Sequence, residues 1–219
     1  MLFLYTFITV PSAIASPYTL DTSVYVTSDY MFRGISQTSN NPAFQVGIDG
    51  THTSGFTAGL FTSNVDFGSI SNREFDIYMG YGHDFENDIS LDLAAWQYTY
   101  NNESSFNYQE YMIGLGYKLA DMQIWYTGDY SGTGGEQYYA ETGLNIPLNN
   151  DFNLSLRVGR TDFDRQIGVG DYSNYLIGVT RQYLGCTVSL LSTMTTNDRF
   201  GKNDAPRVLA SISKSFNLF

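Results

Sequence analysis

The sequence predicts an all-β protein, a single up-and-down antiparallel β-barrel of about twelve strands that spans a membrane. Three observations lead to this fold class. Apolar and polar residues alternate with a period of two along most of the chain, as in strands with one apolar and one polar face. Long polar connections alternate with tight turns from one end to the other. No apolar run reaches the length of about eighteen residues that a helical span needs, so a membrane protein with this sequence would be a barrel.

The composition fits one domain built from strands. The 219 residues include 18 Tyr, 15 Phe and 21 Gly, and only 15% are charged. Aromatic residues favour strands, and a chain of this length has room for a single architecture. Cys186 is the only cysteine, so an internal disulfide is excluded, and its place in an apolar pattern predicts a small hydrophobic residue that faces lipid or core.

The first fifteen residues predict a signal peptide. Residues 1–10 are uncharged and mostly apolar, and Ala13-Ile14-Ala15 has the small-residue spacing of a cleavage site. The basic segment that usually precedes the apolar part is missing, which leaves open an atypical signal, an upstream start codon or a buried first strand. We expect residues 1–15 to be removed and residues 16–219 to form a barrel in the bacterial outer membrane.

The first predicted strand covers residues 22–33. Val24 and Val26 alternate with Tyr25 and Thr27, and the alternation continues to Arg33. Residues 34–42 are polar and rich in turn formers, which predicts a long exposed loop.

These residues also carry a resemblance to a known family. Thr27–Thr38 reads TSDYMFRGISQT and is followed by Pro42-Ala43, by Ser54–Gly59 (SGFTAG) and by Ser63–Phe67 (SNVDF). The combination resembles the N-terminal signature of TorF-type porins of Gram-negative outer membranes. The similarity is close over about residues 20–85 and is general in pattern beyond them. The resemblance implies an outer-membrane β-barrel and does not imply a particular solute.

Eleven further strands follow in order. They are predicted near residues 44–49, 56–60, 74–81, 89–96, 110–117, 123–129, 138–146, 152–159, 174–180, 186–190 and 208–218. Long polar loops follow the odd strands and short turns the even ones, as in a barrel with extracellular loops on one rim and periplasmic turns on the other. A Greek-key sandwich has no reason to alternate in this way. Aromatic residues near the strand ends are expected to form interfacial girdles: Tyr30, Phe32, Tyr81, Tyr111, Tyr117, Tyr138 and Tyr175.

The polar face of the strands predicts an acidic lumen. Twelve tilted strands close into a ring with a backbone radius of about 12 Å, which leaves either a narrow water path or a lumen filled by folded loops. The residues expected to line the pore are Asp29, Arg33, Asp49, Glu74, Asp76, Asp92, Glu110, Asp129, Glu141 and Arg157. Because acids outnumber arginines among them, an open pore should prefer cations.

The predicted function is passive diffusion of ions and small hydrophilic solutes through a porin-like channel. A plugged structural or adhesive barrel without conductance remains an alternative, and so does a barrel enzyme. For the enzyme, the only histidines are His52 and His83, both beside probable turns, so no Ser-His-acid set can be placed. We therefore expect no catalysis, no cofactor and no metal site.

Expected partners are membrane lipid, the permeating solutes and the machinery that inserts outer-membrane barrels, with no role for nucleic acid. The C-terminal stretch Val208–Phe216 has the alternating pattern and terminal aromatic of an insertion signal. The chain continues to Phe219, so either Phe216 or Phe219 is the terminal aromatic.

Overall fold

The computed structural model describes residues 16–149 and 151–219. The predicted signal peptide therefore lies outside the described residues. Twelve strands form a closed barrel, and two very short strands, β2 and β3, form a hairpin of their own. The strands are β1 (Tyr18–Thr27), β2 (Met31–Phe32), β3 (Ile35–Ser36), β4 (Ala43–His52), β5 (Phe56–Asn64), β6 (Arg73–Phe85), β7 (Ile89–Tyr100), β8 (Tyr108–Tyr117), β9 (Ala120–Thr127), β10 (Gln137–Pro147), β11 (Phe152–Phe163), β12 (Tyr172–Tyr183), β13 (Cys186–Thr195) and β14 (Arg207–Asn217).

The barrel has up-and-down topology. From β4 to β14 each barrel strand pairs antiparallel with the next one along the chain. β1 closes the ring by pairing with both β4 and β14, so that Tyr25 lies between Gln45 and Ser213. The predicted fold class, a single antiparallel barrel of twelve strands, is confirmed.

The two faces of the wall differ as the alternation predicts. On β6, Ile77 faces the outside of the barrel and is 60% exposed, whereas the neighbouring Asp76 faces the inside and is 1% exposed. Ile113, Ile124 and Ile177 continue the exposed outer face on other strands. A continuous apolar surface of this kind is the lipid-facing band of a barrel. None of the described helices is long and apolar enough to cross a membrane.

Neighbouring residues on β9 provide a test of the two faces. Ile124 points outward and is 41% exposed, so Ile124→Arg should lower the free energy of unfolding by about 2–4 kcal/mol by placing a charge in hydrocarbon. Gln123 points inward beside Glu141, and Gln123→Arg should cost less than about 1 kcal/mol because it faces a polar lumen. Urea titration of both proteins refolded in lipid vesicles compares the two costs. Equal costs, or the reverse order, would contradict the assignment of faces.

Long and short connections alternate around the barrel as expected. The long ones are residues 28–42, 65–72, 101–107, 128–136, 164–171 and 196–206, and the short ones are residues 53–55, 86–88, 118–119, 148–151 and 184–185. The turn between β12 and β13 shows the local geometry: Leu184 and Gly185 have φ values of 51° and 73°. Positive φ at both central residues defines the tight turn that matches the twist of a hairpin. All short turns therefore lie on one rim, together with the first residues of β1 and the last residues of β14.

Cysteine labelling tests the orientation of the two rims. Thr133 lies in a long loop and Leu119 in a short turn, and both are exposed. In a Cys186→Ser background, Thr133→Cys should react with a membrane-impermeant maleimide on intact cells. Leu119→Cys should react only after the outer membrane is permeabilised. Labelling of the Leu119 position on intact cells would contradict this orientation.

The first strand ends earlier than predicted. β1 stops at Thr27, and residues 28–42 turn back into the barrel instead of extending the strand and then forming an exposed loop. Tyr30 is only 4% exposed inside the barrel, so the predicted place of Tyr30 in an outer girdle is wrong. Phe32 also lies in this inward segment, in β2. Four of the other residues expected in the girdles are about half exposed on the outer face: Tyr111, Tyr117, Tyr138 and Tyr175.

Candidate functional site in the barrel lumen

The segment of residues 28–42, called the constriction segment below, crosses the lumen. Its centre is the β2–β3 hairpin, with Arg33 and Gly34 at the turn at φ values of 50° and 83°. A Cβ atom at position 34 would lie 2.9 Å from Asn174 Cβ on β12. Only glycine combines the positive φ with this close approach to the wall. The tip of the hairpin therefore contacts the barrel wall at β12, three strands away from β1 around the ring.

Asp29 fixes the base of the constriction segment. Its Oδ1 accepts hydrogen bonds from Ser36 Oγ at 2.6 Å and from Thr38 Oγ1 at 2.8 Å. Its Oδ2 accepts from Arg207 Nη1 at 2.6 Å, which ties the segment to β14. Asp29 was predicted to line the pore from a strand. The structure instead places it in the segment, where a carboxylate with three donors stabilises the bend that ends β1.

The tip is fixed by a buried ion pair between Arg33 and Glu110 of β8. Arg33 Nη1 donates to Glu110 Oε1 at 2.7 Å and Nη2 donates to Oε2 at 2.9 Å. Arg33 Nη1 also donates to Gln137 Oε1 at 3.1 Å, and the Tyr98 hydroxyl donates to Glu110 Oε2 at 3.1 Å. The side chains of Arg33 and Glu110 are 5% and 1% exposed. A two-pronged ion pair of this kind fixes both the position and the orientation of the Arg33 side chain.

Aromatic rings surround the guanidinium group of Arg33. Its Cζ atom lies 4.5 Å from the ring centre of Phe32, 4.3 Å from that of Tyr139 and 5.6 Å from that of Trp125. Ring faces at these distances attract a cation and exclude water from the pair. Arg33 thus reaches the lumen from the constriction segment. The sequence had instead predicted that Arg33 lies on the wall, at the end of the first strand.

A second ionic cluster forms around Arg157 of β11. Arg157 Nη1 donates to Asp121 Oδ1 and to Glu141 Oε1, both at 2.9 Å, and Nη2 donates to Asp121 Oδ2 at 3.1 Å. The Tyr139 hydroxyl donates to Glu141 Oε2 at 2.7 Å. Arg157 and Glu141 were both predicted to face the lumen. Asp121 was missed because the sequence placed it in a turn.

Carboxylates on the other side of the lumen have no basic partner within the described residues. These are Asp49 on β4, Glu74 and Asp76 on β6, and Asp92 on β7. Glu74 accepts a hydrogen bond from the Tyr100 hydroxyl at 3.0 Å, and Asp49 accepts one from the Tyr78 hydroxyl. The lumen is therefore asymmetric, with ion-paired acids along β8–β11 and unpaired acids along β4–β7.

Buried aromatic rings fill much of the space between the wall and the constriction segment. Tyr78 and Trp96 stack at 4.4 Å and Tyr98 and Tyr108 at 4.6 Å between ring centres. The Tyr78 ring passes directly over Gly59, where a Cβ atom would come within 2.3 Å of it. This aromatic cluster was not predicted from the sequence, although Trp96, Tyr98 and Tyr108 share the inward parity of the polar residues.

A small cavity remains beside the hairpin. It measures about 80 Å³ and is lined by the constriction segment, Trp125, Tyr139, Glu141 and Arg157 among others. A polar cavity of this size holds several water molecules. The free space beside the hairpin is thus small.

Two remaining sequence predictions concern residues near the rims. Asp129 was expected to line the pore, but it lies beyond the end of β9 in an exposed loop, where its Oδ1 accepts from the Gly134 amide at 2.6 Å. His52 Nδ1 lies 2.6 Å from Ser54 Oγ and 3.2 Å from the Ser54 amide nitrogen in a short turn. This contact closes the turn on the rim and lies outside the lumen. The expectation that the protein is not an enzyme stays a prediction.

Comparisons with known proteins agree with the geometry. A family model described as "Bacterial protein of unknown function (Gcw_chp)" matches residues 12–216. The search of curated protein sequences found no match. Among solved structures, the KdgM porin matches with a TM-score of 0.61 at 8% identity, covering 90% of this chain and 99% of that one. The NanC porin matches with a TM-score of 0.56 at 10% identity, covering 89% and 97%. These likenesses support a porin-like barrel but not the TorF name.

Proposed function

The chain belongs to the bacterial Gcw_chp family, whose description assigns no function, so we propose from the barrel itself that the protein is an outer-membrane channel for small cations and other small hydrophilic solutes. The observation that carries the proposal is the closed barrel with an apolar outer band and a polar, acid-rich lumen. An apolar outer band supports insertion of the barrel in a membrane, and β-barrels of this type occur in the bacterial outer membrane. The porin folds of KdgM and NanC support the same class.

The asymmetry of the lumen supports a preference for cations. Arg33 and Arg157 are neutralised by Glu110, Asp121 and Glu141. In their ionised form, the unpaired acids Asp49, Glu74, Asp76 and Asp92 give the β4–β7 side a net negative charge. In a narrow lumen their fields overlap within a screening length of about 8–10 Å, which raises the local concentration of cations. Glu110 was predicted from the sequence to add to the acidic charge of the lumen. It does not contribute to this field because it is paired with Arg33.

The acidic wall also bears on the kind of solute. One solved structure is described as the KdgM porin in complex with disordered oligogalacturonate, and it matches with a TM-score of 0.57 at 9% identity. Oligogalacturonate is an anion of high charge. A lumen whose unpaired charges are carboxylates would repel such a solute. We therefore propose for this chain the porin class of KdgM, and we do not propose oligogalacturonate as its solute.

Neutralising the unpaired acids tests the preference. The double variant Glu74→Gln/Asp76→Asn should shift the reversal potential of purified protein in a planar bilayer, under a KCl gradient, from the potassium side towards zero. Asp198→Asn removes an acid from an exposed loop and should leave the reversal potential unchanged. Anion selectivity of the native protein would contradict the proposal, and so would an equal shift in both variants.

The plugged barrel is the second candidate, and the constriction segment favours it. The hairpin crosses the lumen and is held at both its base and its tip by ion pairs. A native protein that inserts into bilayers but gives no current steps, together with steps from a variant lacking the segment, would establish a plugged barrel.

A further inference from the structure

Three buried carboxylate oxygen atoms on β6 can accept hydrogen bonds but have no donor in the described part of the chain. They are Glu74 Oε2, Asp76 Oδ1 and Asp76 Oδ2, none of which has a hydrogen-bond partner among the described residues. Glu74 is 3% exposed and Asp76 is 1% exposed. Burying an ionised carboxylate without a partner is costly, and native proteins normally compensate with a cation or a donor. The unpartnered oxygens therefore indicate a ligand that supplies positive charge and hydrogen-bond donors.

The two carboxylates occupy one place on the wall. Glu74 and Asp76 are two residues apart on β6, and so point to the same inner face. By strand register Asp76 lies opposite Phe61 on β5 and Tyr98 on β7. Tyr30 of the constriction segment belongs to the same buried cluster and covers this part of the wall. The acids thus lie between the segment and the strands β5–β7.

The surroundings select the chemical class of the ligand. No group of three or more acidic, histidine or cysteine side chains that could hold a metal is present among the described residues. A calcium ion requires six to eight oxygen ligands, which two carboxylates among aromatic rings do not provide. An ammonium group instead has three N–H donors, and its charge is attracted by ring faces. Tyr30, Phe61, Tyr98 and Tyr100 provide the rings.

We propose that Glu74 and Asp76 bind the ammonium group of a small amine-bearing solute on the β5–β7 side of the lumen. The three free oxygens accept its N–H donors, and the aromatic rings contact its alkyl part. The site deepens the proposed channel function, because it lies on the side where cations would pass. Binding itself does not require that the channel conducts.

Fluorescence gives a readout that is independent of conductance. Trp96 lies in the same buried cluster as Tyr98 and Tyr30, and Trp125→Phe leaves Trp96 as the only tryptophan of the 2 in the sequence. In this background, refolded protein in detergent should show a saturable change in emission when n-butylammonium chloride is added. Asp76→Asn keeps the shape of the side chain and removes its charge, and it should weaken binding by about tenfold or more because charged hydrogen bonds are lost. Asp198→Asn should bind as the parent does.

The controls separate the possible outcomes. Tetramethylammonium carries the same charge without N–H donors and should bind clearly more weakly than n-butylammonium. An equal response to potassium chloride at the same concentration would overturn the ammonium assignment in favour of a general cation effect. No saturable response, or equal affinity in Asp76→Asn, would overturn the site. Binding without any bilayer current would retain the ammonium site and refute the channel. Current without binding would retain the channel and refute the ammonium site.

Discussion

Arg33→Leu should lower the free energy of unfolding by about 3–5 kcal/mol, because it leaves the buried carboxylate of Glu110 without its counter-ion. Glu110 keeps only the Tyr98 hydroxyl among the donors that the structure shows for it, and one neutral hydrogen bond does not compensate for a buried charge. Urea-induced unfolding of protein refolded in lipid vesicles measures the loss.

Two further variants are controls for the cost of Arg33→Leu. Arg160→Leu also breaks ion pairs, with Asp162 and Asp171, but these side chains are about half exposed, so the cost should stay below about 1 kcal/mol. The double variant Arg33→Leu/Glu110→Met removes both buried charges and should be more stable than Arg33→Leu alone. A cost for Arg33→Leu no larger than that for Arg160→Leu would mean that the Arg33–Glu110 pair is hydrated in the membrane-bound protein.

Replacing residues 29–41 by a short Gly-Ser linker should increase the single-channel conductance several-fold. The linker removes the hairpin that crosses the lumen, together with its contacts to Glu110, Gln137 and Arg207. A ring of twelve strands has a backbone radius of about 12 Å, so its lumen without the hairpin admits a much wider column of water.

The control for this deletion is a linker replacement of residues 165–170, which lie in another long loop on the same rim. That change should leave the conductance close to the native value, since none of these six residues is buried. An unchanged conductance in the 29–41 variant would contradict the role of the constriction segment as the narrowest part of the lumen.

Most of the wall could be predicted from the sequence because lipid and lumen impose opposite demands on successive residues of every strand. The same rule misled at the end of β1. Residues 28–33 continue the alternation, yet Asp29 collects donors from Ser36, Thr38 and Arg207 and bends the chain inward. Such a bend depends on contacts with β14, at the other end of the chain, which a local pattern does not contain.

The sequence predicted which charged residues face the lumen, but not which of them form ion pairs with each other. The sequence identified Arg33, Glu110, Glu141 and Arg157 as inward residues, and the structure places all of them in the lumen. Arg33 and Glu110 are 77 positions apart, and nothing in either local sequence indicates that they meet. For this reason Glu110 was counted as a free acid, and the unpaired acids of β4–β7 could not be distinguished from the paired acids of β8–β11.

Single-channel recording of the purified native protein in a planar bilayer under a KCl gradient tests the central claim most directly. We expect small, discrete current steps with a reversal potential of the sign for potassium permeation, and a cation preference that weakens as the salt concentration rises. Protein that inserts without current steps, or steps that reverse with the sign for chloride, would contradict a cation path along the unpaired acids of the lumen.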